Sequence, residues 1–307
     1  MDPFDLIRDG KIKRFFRATK KLRVPNLIYH ITQRAAGKGS LFLEESDYLF
    51  MLWLLKEMSH RYSLKVYAFC LMPNHLHILL SPEQDNLYDV MRNLFSRYAM
   101  KFNQKYERKG HLFGGPYRQA VCLDENYLLA TSLYIHLNPI RAELATDPVK
   151  YRWSSCALYC ETNTRESFVK AHFILGLISE ANLESKKQYR HFLKRGSKLK
   201  TDHVLEHEDA IERFQSSLNA KFPSIFNKVE KKRQVTMASG LNLLGSKELD
   251  RMIAQMRKEP FPNQPEGRKA KKYIIEQLIA RGYKREEIAV KLGLSRKTVY
   301  NLLKSHL

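Results

Sequence analysis

The sequence predicts an α+β protein: a ferredoxin-like antiparallel sheet with helices, then an all-α region, then a helix-turn-helix. Three observations predict it. The first 121 residues read strand, helix, strand, strand, helix, strand, the split βαβ order. The central run Met72-Pro73-Asn74-His75-Leu76-His77-Ile78-Leu79-Leu80 opens on a turn signal and then alternates with the period of a half-buried strand. The last 42 residues, 266–307, repeat short apolar helical patterns around a glycine turn.

Taken in order, residues 1–25 are basic and mixed and form an arm suited to a phosphate backbone or to solvent. Leu27 to Arg34 is rich in β-branched and aromatic residues and predicts the first strand. The turn Gly37-Lys38-Gly39-Ser40 brings a cation on a flexible backbone. Glu45 to Arg61 carries apolar residues at helical spacing, and Leu64 to Met72 predicts a second strand that turns at Pro73-Asn74 into the histidine strand. Leu87 to about Tyr106 predicts a second helix, with Val90, Leu94, Tyr98 and Phe102 on one face and Arg92, Arg97, Lys101 and Lys105 on another. Tyr117 to Val121 predicts the fourth strand. Asp124 is a suitable N-cap for a third helix, Glu125 to about Asn138, which Pro139 is expected to stop. With three helices beside one antiparallel sheet, the expected layering puts helices on one face.

Domain boundaries follow from composition. Residues 26–158 form the α+β domain, 159–258 a charged helical region, 259–265 a proline-rich linker, and 266–307 a compact basic module. In that module Ser295 after Gly293 is an N-cap for a last helix from Arg296 to Leu303. Arg296, Lys297, Thr298, Tyr300 and Asn301 would then face a major groove and its phosphates. A small helical bundle with a solvated basic face is the plainer alternative.

Charge narrows the partner. Lys plus Arg number 53 against 32 Asp plus Glu, a formal net charge of +21 in 307 residues. Self-repulsion of that size favours a polyanionic partner, and nucleic acid releases counterions when its phosphates are neutralised. No long apolar run or basic amphipathic anchor speaks for a membrane. The four cysteines, Cys70, Cys122, Cys156 and Cys160, do not make a disulfide framework or a zinc set, and free thiols suit a reducing, cytoplasmic setting.

On the central strand His75 and His77 share one face while Leu76, Ile78 and Leu80 share the other. Two imidazoles about 7 Å apart on one strand face can converge on a divalent cation; a merely polar sheet face is the bland alternative. Tyr134 and Asn138 stand four apart on the third helix and project from one face of it. Small Ala130 and Thr131 leave room above Tyr134, and Leu129, Leu133 and Leu137 make a core stripe. A phenol can act as nucleophile toward a phosphodiester when a metal or a base assists. Tyr127, two turns earlier, competes with Tyr134 for that part, and spacing does not choose between them.

The run His75-Leu76-His77 resembles the histidine–hydrophobe–histidine motif of the HUH single-strand endonucleases. With Tyr134-Ile135-His136-Leu137-Asn138-Pro139 it resembles the single-tyrosine transposases of bacterial insertion sequences, and within them the REP-associated tyrosine transposases. Met72-Pro73-Asn74, Arg141-Ala142 and Tyr151-Arg152-Trp153-Ser154-Ser155 are similar too, so the likeness covers roughly residues 24–158. It implies an HUH endonuclease fold with Tyr134 as nucleophile and His75, His77 and Asn138 as metal ligands for Mg²⁺ or Mn²⁺. It also implies cutting of single-stranded DNA near a hairpin through a 5′-phosphotyrosine. Arg34, Lys38, Arg97, Lys101 and Arg118 are the DNA contacts expected in this domain, and duplex DNA is the partner expected of the C-terminal module. That module departs from the minimal family pattern. Whether Tyr134 serves its own subunit's histidines or, in a homodimer, those of a second copy stays open. Two other readings compete: a catalytically silent DNA-binding regulator using the helix-turn-helix, and an RNA binder stacking bases on an exposed sheet.

Overall fold

A computed structural model describes residues 25–122, 125–162, 166–198, 210–223, 246–258, 264–280, 283 and 285–304, with the backbone of Phe15–Phe16. The chain divides into two compact units, Arg17–Gly240 and a second made of Met1–Phe16 with Leu241–Leu307.

In the larger unit the order is β1 (Tyr29–Arg34), α1 (Glu45–Arg61), β2 (Leu64–Met72), β3 (His75–Pro82), α2 (Leu87–Lys105), β4 (Arg118–Val121) and α3 (Glu125–Arg141). These four strands lie in the order β4-β1-β3-β2, each pair antiparallel. The hairpin between β2 and β3 has only Pro73-Asn74 between the paired residues Met72 and His75. So short a loop fixes register, and a one-residue slip would turn every side chain to the wrong face. Register then places Cys70, His77 and Thr32 across from one another, and likewise Met72, His75 and Arg34.

Local chemistry explains the ends of the elements. Asp47 accepts the backbone N–H groups of Leu43 (2.9 Å) and Glu44 (3.1 Å) and so holds the first turn of α1. It also receives Lys105 Nζ at 2.7 Å and the Tyr106 hydroxyl at 2.8 Å, tying the start of α1 to the end of α2. A bulge lies between Val66 and Ala68 in β2, and the Tyr67 carbonyl accepts the Tyr159 hydroxyl at 2.8 Å. The outer edge of β2 is covered by the segment Tyr151–Ser155. Leu71 N–H donates to Trp153 O (2.9 Å), Ser155 N–H to Phe69 O (3.0 Å), and the Tyr151 hydroxyl to Leu71 O (2.8 Å). An otherwise open row of backbone groups is thereby paired.

Both faces of the sheet are buried, which differs from the one-sided layering expected. Ile28, Ala68, Cys70, Met72 and Leu79, all on the histidine-bearing side, share a core cluster with α3. On the other side Ile31, Leu71, Leu76, Ile78 and Leu80 are just as deeply buried. The cause is that α3 is apolar all round: every residue from Tyr127 to Pro139 is buried. Such a helix cannot sit at a surface. Beyond it come α4 (Cys156–Cys160), α5 (Ala171–Ile178), α6 (Asn182–Gly196) and α7 (Ala210–Lys221), of which the last three pack directly on α3. The stretch expected to be a separate helical region is thus partly the outer wall of this domain.

Two other expectations are corrected. Pro139 does not stop α3, which runs on to Arg141. A proline removes one N–H and crowds one carbonyl, and here the turn is closed beyond it by Ala142 N–H to Asn138 O (2.9 Å) and Leu144 N–H to Pro139 O (2.8 Å). Ala130 and Thr131 leave no open space, since both are fully buried. The proposed Asp124 cap lies outside the described residues, as does most of the 1–25 arm.

The smaller unit contains α8 (Ser246–Lys258), α9 (Pro265–Ala280), α10 (Arg285–Leu292) and α11 (Arg296–Lys304). Helix α8 packs on α9 and α10, so the C-terminal module is longer than residues 266–307. Of the expected linker, residues 259–263 lie outside the described residues, and Pro265 already opens α9. Ser295 caps α11 through its Oγ, which accepts Thr298 N–H at 3.0 Å. None of the four cysteines is in a disulfide, and all are buried. Among the described residues no helix is long and apolar enough to cross a membrane.

The α3 wall is held by His136, whose Nδ1 meets the Tyr189 hydroxyl and whose Nε2 meets Ser155 Oγ, both at 2.8 Å. Tyr189→Phe leaves a buried imidazole nitrogen unsatisfied and is expected to cost about 1–3 kcal/mol, measurable by urea denaturation. A loss under about 0.5 kcal/mol would contradict this packing.

Candidate active site

The site lies between the histidine face of the sheet and α3. His75 and His77 point the same way from β3, with ring centres 5.0 Å apart and planes nearly perpendicular. Tyr134 comes down from α3 edge-on to His77, its ring centre 6.1 Å away. The phenol and the imidazole pair therefore meet within one chain. Asn138, one turn on, is fully buried, and neither its Oδ1 nor its Nδ2 has a hydrogen-bond partner.

Hydrogen bonds orient each imidazole. His75 Nδ1 donates to Asn74 Oδ1 at 2.7 Å, which leaves its Nε2 as the lone-pair nitrogen. His77 Nδ1 lies 2.9 Å from His30 Nε2 and 3.2 Å from Thr32 Oγ1, while its Nε2 is buried with no partner. A buried nitrogen and a buried amide left unpaired are costly unless something binds them. Two imidazole nitrogens and an amide oxygen suit a divalent cation, and partners on the far ring nitrogens are the usual way of orienting such ligands. Among the described residues no group of three or more His, Cys, Asp or Glu is placed to hold a metal.

Burial keeps these imidazoles neutral. It lowers His30 to about 4 and, with the nearby Arg34 charge, His75 to about 4. Burial also carries His77 well below its ordinary value, helped by His75, His30 and Arg34. Neutral imidazole is the form that ligates a cation.

The tyrosine has neighbours on its other side. The Arg141 guanidinium carbon lies 4.9 Å from the Tyr134 ring centre and 4.5 Å from that of Phe214, on α7. Tyr134 itself is 3% exposed. Phe214, on α7, lies against it, with ring centres 6.1 Å apart. Tyr127, the rival, is fully buried within the core cluster.

The expected DNA contacts are dispersed. Arg34 sits beside His75 in the sheet register, and Arg118 is exposed on β4 opposite Thr32. Lys38 and Lys101 are exposed, and their chain neighbours Gly37 and Met100 line a groove of about 690 Å³ with Gln33, Asn103 and Gly114. His75, His77, Tyr134 and Asn138 do not line that groove. Arg97 is bidentate to Glu57 (2.6 and 2.9 Å) and lies over Trp53, so its charge is matched locally. Lys105 is held by Asp47 and Glu44. In the smaller unit Arg296, Lys297, Tyr300 and Asn301 are exposed, Thr298 is half-buried, and Val299 and Leu302 face inward.

Sequence reasoning missed His30, Thr32, Phe214 and a place for Arg141. His30 and Thr32 alternate on β1 just as the other pair does on β3, which was the available signal. Register between the strands was needed to bring them together.

Residues 23–138 match a family model described as "Transposase IS200 like". No curated protein matches. A solved structure of a REP-associated tyrosine transposase bound to a REP hairpin aligns at a TM-score of 0.40 and 11% identity, covering 46% of this chain and 82% of that one.

Acid should destabilise the protein through these buried imidazoles. Above pH about 6.5 they are neutral in both folded and unfolded states. As pH falls the unfolded chain is protonated first, so stability declines until the lowered folded values, about 4 for His30 and His75, are reached. Each group contributes up to about 1.4 kcal/mol per pH unit in that window. Urea midpoints at pH 7 and pH 5 measure it; equal midpoints would contradict the burial.

Proposed function

We propose that this chain is a metal-dependent single-strand DNA endonuclease and strand-transferase whose nucleophile is Tyr134, a reading supported by the match of residues 23–138 to the IS200-like transposase model. The observation that carries the reading is the contact of the Tyr134 ring with His77, whose Nε2 is buried and unpaired. In the reaction the phenol loses its proton as the Tyr134 Oη–phosphorus bond forms. The bond from phosphorus to the 3′-oxygen breaks, and that oxygen takes up a proton. The strand is left joined to the protein by a 5′-phosphotyrosine, and a 3′-hydroxyl reverses the step to join ends.

His75, His77 and Asn138 would hold Mg²⁺ or Mn²⁺. Such an ion polarises a non-bridging phosphate oxygen and offsets charge as the transition state forms. His30, Thr32 and Asn74 orient the two imidazoles, and the α3 backbone fixes the phenol. Hairpin DNA is the proposed substrate, as in the REP-hairpin complex of the similar transposase. Lys38, Lys101, Arg118 and Arg34 are proposed phosphate contacts, and the exposed face of α11 a duplex contact.

The burial of Tyr134 favours a second reading, a silent regulator that binds DNA through α11. The RNA reading loses its platform, because both sheet faces are covered.

A hairpin oligonucleotide pool with single-stranded flanks, incubated with Mn²⁺, should form a covalent adduct with the full chain. Tyr134→Phe should abolish the adduct and leave binding within about twofold, since one hydroxyl is removed. Binding without an adduct by the wild type would instead favour the regulator. Affinity should also fall steeply with salt, roughly tenfold or more between 50 and 200 mM, as several phosphates are neutralised. A flat salt response would contradict the electrostatic account. Truncation after residue 240 should weaken DNA binding and spare adduct formation.

A further inference from the structure

Arg141 closes α3 next to the phenol, in the Arg141-Ala142 pair that follows the Asn-Pro motif. Its Nε, Nη1 and Nη2 are all buried, and none has a hydrogen-bond partner. Among the described residues no other arginine or lysine is in that position. A guanidinium presents five donors, and enclosing it without an acceptor costs several kcal/mol on general grounds. Stacking on the Tyr134 and Phe214 rings returns only part of this, about 0.5–2 kcal/mol for a cation on an aromatic face. Burial lowers its pKa to about 10, so it remains a cation at neutral pH. Among the described residues, the fold thus keeps a charged fork beside the candidate nucleophile and pairs it with no anion.

An arginine fork matches a phosphate in shape and charge, with paired parallel N–H···O bonds. A guanidinium carbon 4.9 Å from the ring centre is within side-chain reach of a phosphorus attached to Tyr134 Oη. We propose that Arg141 is the phosphate-holding residue of this site, pairing with the phosphodiester that Tyr134 attacks and with the phosphotyrosine that results. The assignment rests on the endonuclease reading above and names the group that takes the substrate's charge. It also gives the stacked conformation a meaning: between the two rings the fork is parked, and Phe214 must leave it when a strand enters.

The test uses the full chain, the hairpin oligonucleotide pool and Mn²⁺. Arg141→Gln should slow adduct formation roughly 100-fold, the usual scale for losing one donor to developing charge. Arg141→Lys should recover part of the rate, since a point charge replaces a fork. A neutral methylphosphonate at the cut position should slow the wild type by a clearly larger factor than it slows Arg141→Gln, in which only the metal contact is left to lose. Arg141→Met should melt at or above the wild-type temperature, because a buried unpaired cation has been removed. Wild-type rates for Arg141→Gln, or a methylphosphonate penalty in that variant as large as in the wild type, would overturn the assignment while the endonuclease reading stands. So would an Arg141→Met that melts well below the wild type, which marks a packing residue. No adduct with wild type would overturn the endonuclease reading itself, and this assignment with it.

Discussion

The structure depends on the burial of one apolar helix against one polar patch of sheet. Helix α3 is enclosed on all sides, and the face it meets carries His30, Thr32, His75 and His77 among its aliphatics. Placing four polar side chains under a buried helix is unfavourable unless they satisfy one another. They do so for the Nδ1 atoms and not for His77 Nε2, Asn138 or Arg141. Of these, His77 meets the Tyr134 ring, Asn138 stands one turn on from it, and Arg141 stacks on it. Stability and chemistry therefore meet at the same few residues, as is common where a fold gives up some stability for a site.

Much of this was legible in the sequence. The period-two run set the faces of β3, and the two-residue turn set its pairing with β2. The i, i+4 spacing placed Tyr134 and Asn138 together. Helix α1 and strand β2 fall where the apolar spacing put them. These are local properties, carried by periodicity and turn chemistry.

What was not legible is non-local. His30 joins the site only through the register of β1 on β3, and Phe214 reaches Tyr134 across 80 positions of chain. A separation of 40 positions likewise hid the paired state of Arg97, whose Glu57 partner sits on another helix. Pro139 misled because a proline near a helix end costs a single hydrogen bond, which neighbouring turns replace. The enclosure of α3 by α5, α6 and α7 gave the histidine face a roof that helical patterning alone does not assign.

The central claim is that the imidazoles of His75 and His77 and the phenol of Tyr134 face one phosphate over one cation. Electron spin-echo spectroscopy of Mn²⁺ bound to the full-length chain tests it most directly. Nitrogen couplings from directly bound imidazole should appear in the wild type and diminish in His77→Ala. A phosphorus coupling should join them when an uncut single strand binds to the Tyr134→Phe variant. A spectrum of Mn²⁺ with oxygen ligands alone, unchanged by His77→Ala, would contradict the account.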